Sequence, residues 1–233
     1  MNVKINNTDY QVSFGDMTQM NMSSKYKRNV RRTVQKKNVI KVAADELYKQ
    51  FAKYKSDKEM MNGDGIMKWA QDHGIDDPND IALLVLFWKI GPERSYHFTE
   101  NEFVEGLAKL GMETSAKQKQ KLPLLKNELH DPAQFKAFYV FVFSFMKESP
   151  ANRTIPAEIA IETWKLLLHG RYQYLSDWIA FVSEHVKHAI TLDTWKQFYE
   201  FTTDKSFKSF DTFDAADSAY PTIIDDFVQY MKK

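Results

Sequence analysis

Helix start and stop signals recur at short intervals from residue 42 onward, and they constrain the fold more than any other feature. Thr99 and Glu102 form a capping-box pattern, Asp131 precedes a proline, and Pro156 opens a further segment. Between these signals, apolar residues recur at spacings of three and four, which is typical of helices with one buried face. The pattern predicts an all-α fold with about ten helices and no core strand.

Length and composition allow a large folded core. The chain has 233 residues, of which 43% are hydrophobic and 14% are aromatic. Its formal net charge is +1, so the whole molecule is not expected to be drawn to nucleic acid or to an anionic membrane. No apolar run approaches the roughly 18 residues of a membrane span, and a secretory-signal pattern is missing. We therefore expect a soluble intracellular protein.

The residue types exclude several kinds of chemistry. The sequence contains no cysteine, which rules out disulfides, thiolate zinc sites, cysteine nucleophiles and a thioester on the chain itself. It also lacks a Gly-rich phosphate loop and the common hydrolase motifs. His185 and His188 lie three apart on one predicted helix but have no obvious third ligand. We predict no catalytic site, no metal site and no cofactor.

Residues 1–41 differ from the rest of the chain. Weak alternation of apolar residues within 1–24 is compatible with a short strand pair or with unstructured chain. Eight basic residues and no acidic one lie between Lys25 and Lys41. The first interpretation is a basic, flexible leader that ends before residue 42. The alternatives are a nuclear-import signal and a phosphate-binding arm.

Two helix–loop–helix units are predicted in the first half of the following domain, residues 42–128. A calcium-binding EF-hand loop needs oxygen ligands at alternate positions, a glycine at the sixth position and a glutamate at the twelfth. If Glu102 is the twelfth residue of the second loop, Gly91 and Tyr96 occupy the first and sixth positions. We therefore predict a metal-free form of this architecture, with a calcium-responsive interaction protein as the alternative function.

The second half of the domain, residues 129–233, is more aromatic. A helix that begins after Asp131 carries aromatic residues around much of its surface, which predicts a central buried helix that contacts both halves. The last helix is expected to start at about Tyr220, with Pro221 in its first turn. Between Glu200 and Asp226 there are seven acidic residues and two basic ones. This excess suits a basic protein partner, and a solvated acidic loop is the alternative.

Three sequence runs carry a resemblance to a known family. They are Leu167–Leu175 (LLHGRYQYL), Ile190–Trp195 (ITLDTW) and Ala219–Val228 (AYPTIIDDFV). In that order they resemble the potentiating-neddylation domain of the defective-in-cullin-neddylation family, and the resemblance extends over roughly residues 42–231.

The resemblance implies a non-catalytic scaffold, a co-ligase for cullin neddylation without an active site of its own. Members of the family are all-helical, with vestigial EF-hand-like units in the first half packed on a C-terminal helical subdomain. The implied partners are the C-terminal winged-helix region of a cullin, the cullin-bound RING protein and the N-acetylated conjugating enzyme of the neddylation pathway. The thioester chemistry stays on that enzyme. The resemblance implies no membrane or nucleic-acid partner, and a monomer.

The family's cullin-binding Asp-Ala-Asp patch falls, by position, on Asp193, Ala219 and Asp225. Ala219 would be small enough to let a cullin side chain approach between the two acids. The pocket for the acetylated terminus of the conjugating enzyme falls on seven residues, which are Ile66, Leu83, Leu86, Ser95, Tyr96, Phe98 and Phe145.

The basic run resembles the leaders that some relatives use for nuclear localisation, so we expect the protein in the nucleus and the cytoplasm. Besides the scaffold, two other classes stay open on the sequence alone. They are the calcium-responsive protein and a nucleic-acid binder that uses the basic arm.

Overall fold

The computed structural model describes residues 2–5, 8–13, 18–29, 37–57, 59–213 and 220–232. The chain forms two compact units, Met1–Val42 and Ala43–Lys233.

The first unit contains a four-stranded antiparallel sheet in the order β1-β2-β3-β4. Its strands are β1 Asn2–Ile5, β2 Thr8–Ser13, β3 Thr18–Asn21 and β4 Lys27–Asn29. Val3 pairs with Tyr10, so the weak apolar alternation of the sequence lies on neighbouring strands. The turn after β3 is held by the Asn21 side chain, whose Oδ1 accepts from the backbone N–H groups of Ser23 (2.9 Å) and Ser24 (3.0 Å). Of the two possibilities left open by the sequence, paired strands are the one observed.

The described part of the chain contains ten α-helices, which confirms the predicted all-α class for the larger unit. They are α1 Lys37–Tyr54, α2 Gly63–Asp72, α3 Ile81–Ile90, α4 Glu100–Lys109, α5 Ser115–Lys121, α6 Pro132–Phe145, α7 Ala157–Leu168, α8 Leu175–His185, α9 Leu192–Thr203 and α10 Thr222–Met231.

The predicted caps explain where several helices begin. Thr99 and Glu102 form a complete capping box at α4, and the Asp131 side chain accepts from the Gln134 N–H (2.8 Å) at the start of α6. At α10 the boundary differs from the expectation of about Tyr220. Pro221 has ψ of 150° and is the N-cap, so the helix begins at Thr222.

Residues 115–130 hold two elements that the apolar pattern did not predict, α5 and a 3₁₀ helix, Leu122–His130. Helix α5 is rich in lysine and glutamine and has no apolar stripe, so its sequence lacks the periodic signal. Pro123 falls at the start of the 3₁₀ helix, where the missing N–H costs no helical hydrogen bond.

Two short antiparallel pairs join the helix–loop–helix units. Strand β5 (Met60–Met61), between α1 and α2, pairs with β6 (Phe98–Thr99), between α3 and α4. In the second half, β7 (Thr154–Ile155), between α6 and α7, pairs with β8 (Ile190–Thr191), between α8 and α9. The same layout therefore occurs twice along the chain. The likeness to EF-hands stays a prediction.

Helix α6 is the centre of the larger unit. It packs against α3, the 3₁₀ helix and α9, so it contacts both halves as predicted. The Trp195 ring stacks on Tyr139 (centroids 4.6 Å apart) and on Trp164 (5.2 Å). Trp164 Nε1 donates to the Tyr139 hydroxyl (2.7 Å), and Trp195 Nε1 donates to the Tyr139 carbonyl (2.9 Å). These bonds satisfy the indole N–H groups that burial would otherwise leave unpaired.

No helix in the described part of the chain is long and apolar enough to cross a membrane.

Two glycines of α2 provide a matched stability test. A Cβ at Gly65 would overlap the backbone carbonyl oxygen of Tyr54, whereas a Cβ at Gly63 meets no heavy atom within 4 Å. We expect Gly65→Ala to lower the free energy of unfolding by about 1–3 kcal/mol, because the carbonyl belongs to the rigid end of α1. Gly63→Ala should raise it by about 0.4–1 kcal/mol, through lower entropy of the unfolded chain.

Urea unfolding followed by circular dichroism measures both changes. Equal effects of the two substitutions would contradict the close approach at Gly65.

Candidate functional site

The first acid of the predicted patch is placed by the start of α9. Ile190 is buried in the β7–β8 pair, and the next residue, Thr191, caps the helix. Its Oγ1 accepts from the Thr194 N–H (3.0 Å). Asp193 follows in the first turn, exposed to solvent and favourably placed in the positive end of the helix dipole.

The second acid lies in the first turn of α10. Ile223, Ile224, Phe227 and Val228 are buried and hold this helix to the core, while Asp225 lies at the edge of that buried face. Its side chain is half-buried, and its Oδ1 is inaccessible to solvent and has no hydrogen-bond partner among the described residues. A desolvated carboxylate oxygen without a donor is unfavourable, and a positive charge close to the carboxylate would offset part of this cost.

Aromatic contacts fix α10 relative to the neighbouring helices. The Phe227 ring packs edge-on against Trp178 of α8 (centroids 5.1 Å apart) and against Phe201 of α9 (6.5 Å). Trp178 in turn stacks on Phe198 of α9 (3.9 Å). The helix ends that carry Asp193 and Asp225 therefore belong to one rigid aromatic cluster.

Other acids of the C-terminal excess have partners inside the protein. Glu200 forms an ion pair with Lys136 (2.6 Å), and Asp204 accepts from the Tyr220 hydroxyl (2.9 Å). The Ser206 hydroxyl and backbone N–H lower the pKa of Asp204, and burial together with the Asp204 contact raises the pKa of Tyr220 to about 12. Glu200 thus connects α9 to α6 and Asp204 contacts the residue before Pro221, whereas Asp193 and Asp225 form no ion pair among the described residues.

A cleft of about 600 Å³ opens between α8, α9 and α10. Its lining includes Thr194, next to Asp193, and Asp226, next to Asp225, but neither of the two predicted acids. Phe181, Ile223 and Tyr230 contribute apolar wall, and both His185 and His188 line it. No group of three histidine or acidic side chains that could hold a metal ion occurs among the described residues. Ala219, the middle residue of the predicted patch, lies outside the described residues.

A second candidate site is a cavity of about 340 Å³ between α2, α3 and the end of α6. Of the predicted pocket residues, Ile66, Leu83 and Tyr96 line it. Its walls are largely apolar, with Asp64, Asn79 and Asp80 as polar groups. This combination is typical of small-ligand sites.

The remaining predicted pocket residues lie elsewhere. Ser95 and Phe145 line an adjoining cleft of about 830 Å³, and the Ser95 hydroxyl donates to the Phe145 carbonyl (2.8 Å). Leu86 and Phe98 are fully buried and are absent from the described walls of both cavities. Phe98 instead stacks on Phe87 (centroids 5.0 Å apart), which lines the smaller cavity.

The sequence-based prediction missed ten of the thirteen residues that line the smaller cavity, among them Leu84, Phe87 and Met146. Leu84 and Phe87 belong to an α3 segment that is apolar all round, so its periodicity does not indicate which face borders a cavity. Met146 is the C-cap of α6, where the helical pattern ends.

Two segments of the chain match models of known protein families. Residues 117–230, which include α9 and α10, match the model of the cullin-binding family. Residues 1–32 match the model of the WWE domain. This second match falls on the four-stranded sheet, in the segment for which the sequence predicted a basic leader. The alternation of Val3, Ile5 and Tyr10 was the available signal.

Similar proteins cover most of the chain. Defective in cullin neddylation protein 1 of Yarrowia lipolytica is 31% identical over 187 residues, 79% of this chain and 77% of that protein. DCN1-like protein 3 of Drosophila melanogaster is 33% identical over 83% of this chain and 58% of its own length. DCN1-like protein 5 of Homo sapiens is 27% identical over 78% of this chain and 75% of its own length. From the length and identity of these matches, the chain belongs to the defective-in-cullin-neddylation family.

Proposed function

We propose that this protein is a non-catalytic scaffold for cullin neddylation. The C-terminal winged-helix region of a cullin, which carries its RING protein, binds to Asp193, Ala219 and Asp225. A second site, the 340 Å³ cavity, binds the acetylated N-terminus of the conjugating enzyme. The family membership, the cullin-binding match over residues 117–230 and the names of the relatives support this proposal.

The state of Asp225 is the observation that carries the cullin-binding part. Its buried Oδ1 has no donor within the described residues, and Asp193 is exposed on a helix end of the same aromatic cluster. A lysine or arginine of a partner would pair with the accessible part of this half-buried carboxylate and gain a charge-assisted hydrogen bond. The two acids therefore suit a basic surface rather than an apolar one.

The chemistry of the smaller cavity supports an acetylated rather than a free amino terminus. Leu83, Leu84 and Phe87 contribute apolar wall, and an ammonium group in such a place would lose its hydration. Acetylation removes that charge and leaves an amide, which Asn79 or Asp80 at the cavity's side could orient. The methionine side chain that follows gains contact with the apolar wall.

The rate enhancement then comes from proximity. A chain without cysteine cannot carry the modifier as a thioester, so the covalent chemistry stays on the conjugating enzyme. Holding that enzyme and the cullin lysine together replaces a bimolecular encounter with a nearly unimolecular step. The same proposal places the protein in the nucleus and the cytoplasm, because its basic run resembles a nuclear leader. It acts as a monomer, without a membrane or nucleic-acid partner.

An acetylated peptide from the conjugating enzyme's N-terminus is expected to bind at least about 30-fold more tightly than the same peptide with a free amine. The difference corresponds to about 2 kcal/mol for desolvating the ammonium group. Isothermal titration calorimetry at pH 7 measures both affinities. Asp80→Asn, which keeps a capping side chain at the start of α3, and Asp64→Asn provide controls for the opposite explanation, in which a carboxylate attracts the free amine. Equal affinities, or tighter binding of the free amine, would overturn the assignment of this cavity.

A further inference from the structure

Tyr96 stands between two cavities. It lines both the 340 Å³ cavity and the adjoining 830 Å³ cleft, and Met146 is also part of both walls. The Tyr96 hydroxyl lies 3.3 Å from Met146 Sδ, so the two side chains meet across the boundary. The contact between these two side chains therefore lies at the boundary of the two spaces.

The backbone holds this tyrosine in an unfavourable conformation. Tyr96 has φ of 58°, in the left-handed region that bulky residues rarely adopt. The flanking residues are tied down, since Ser95 donates to the Phe145 carbonyl and His97 Nδ1 lies 2.9 Å from the Ser95 carbonyl. Strain of this kind persists only where the surroundings maintain it, and it concentrates at binding sites.

Aromatic contacts set the direction of the ring. Its centroid lies 4.7 Å from that of Phe145 and 5.8 Å from that of Phe87, which it meets edge-on. Burial of the hydroxyl raises the pKa of Tyr96, yet 43% of the residue's surface stays exposed. The ring is thus packed on one side and open to a ligand on the other.

We propose that the Tyr96 ring is a partition that limits the size of the terminal group accepted by the smaller cavity. This rests on the proposed function, in which that cavity binds an acylated peptide end. With the ring in place, a short acyl group fits, while a longer chain has no path into the 830 Å³ cleft. Without the Tyr96 ring, the two spaces join, and the longer acyl chain gains apolar contacts in the cleft. Tyr96 is then the residue that determines specificity for the acetyl group.

The test compares two peptides that carry the same conjugating-enzyme sequence, one acetylated and one octanoylated at the N-terminal methionine. The wild-type protein should prefer the acetyl peptide by about tenfold or more, the discrimination typical of a closed apolar pocket. Tyr96→Ala should reduce this ratio to about threefold or less, through tighter binding of the octanoyl peptide. Tyr96→Phe keeps the ring and should keep the ratio. Fluorescence anisotropy measures all six affinities.

Tyr96→Gly is a second variant, because glycine removes both the ring and the strain of the left-handed backbone. A ratio unchanged in Tyr96→Ala and Tyr96→Gly would overturn the partition, and so would a ratio lost equally in Tyr96→Phe. If the wild-type protein binds the acetyl and octanoyl peptides equally well, the partition is contradicted but the proposed function is not. Failure of the wild-type protein to bind the acetyl peptide at all contradicts the proposed function as well.

Discussion

Replacing Asp225 by arginine is expected to abolish binding of a cullin C-terminal fragment while the fold is retained. The substitution places a positive charge where the proposed partner is basic, and like charges brought together at an interface cost several kcal/mol. A loss of 2–5 kcal/mol corresponds to affinity that is roughly 30-fold to more than 1,000-fold weaker. The helix loses the favourable dipole position of the acid and gains an unfavourable cation there, each effect about 0.3–1 kcal/mol. Calorimetric titration of the cullin fragment, with circular dichroism of the free variant, measures both properties.

Glu100→Arg is the matched control, because Glu100 is also an exposed acid in a first helical turn, at α4 of the other half. It should leave cullin affinity within about twofold of the wild type, since surface pairs contribute little. Asp225→Asn removes the negative charge but keeps the shape of the side chain, and it should weaken cullin binding less than Asp225→Arg does. Cullin affinity unchanged by Asp225→Arg, in a variant that is still helical, would rule out this patch as the cullin site.

Truncating Trp195 to alanine is expected to produce the largest loss of stability among the substitutions considered. The ring is fully buried between Tyr139 and Trp164, and its Nε1 is satisfied by the Tyr139 carbonyl. Removing a buried tryptophan costs about 3–5 kcal/mol. For a chain of this size, that loss lowers the melting temperature by roughly 6–20 °C. Asp193 lies two residues away on α9, so cullin affinity should fall as well.

Trp88→Ala gives the comparison for this loss. Trp88 is only half-buried, packs on Phe138 (centroids 5.6 Å apart) and has Lys89 Nζ over its ring (4.3 Å). Its truncation should lower the melting temperature by less than half as much and leave cullin affinity unchanged. Differential scanning calorimetry gives the two melting temperatures. A similar fall for both variants would show that the stacked rings contribute no more than ordinary surface packing.

Helix boundaries were predictable because caps are local. Thr99 with Glu102, Asp131 and Thr191 each satisfy backbone N–H groups within three residues, and all three caps are present in the structure. The same local logic placed the start of α10 within about two residues. Where the chain has no apolar stripe, as in Ser115–Lys121, the sequence offered no comparable signal.

Local sequence patterns alone did not identify the candidate sites. Asp193 and Asp225 were singled out by resemblance, since their pattern equally suits solvated helix positions. Only the folded chain shows that Glu200 and Asp204 contact Lys136 and Tyr220, while Asp225 has an oxygen without a donor in the described part of the chain. Those partners lie between 16 and 64 positions away along the chain, beyond the range of any periodicity.

The smaller cavity is a second feature that local sequence patterns did not predict. Apolar spacing in α3 indicated burial but not which side chains border an empty space, because a segment that is apolar all round has no preferred face. The walls come from α2, α3, the loop with Tyr96 and the end of α6, and their approach depends on how the helices cross.

The sequence by itself determined the helical class, most helix boundaries, the absence of thiol chemistry and the family. These properties depend on local hydrogen bonding, on the periodicity of apolar residues and on residue identity. The tertiary structure alone decided that the N-terminal alternation becomes four paired strands, that Glu200 and Asp204 have partners inside the protein, and that Tyr96 lines two cavities. The reason is that each of these depends on contacts between residues distant in the chain, whose energies no local pattern records.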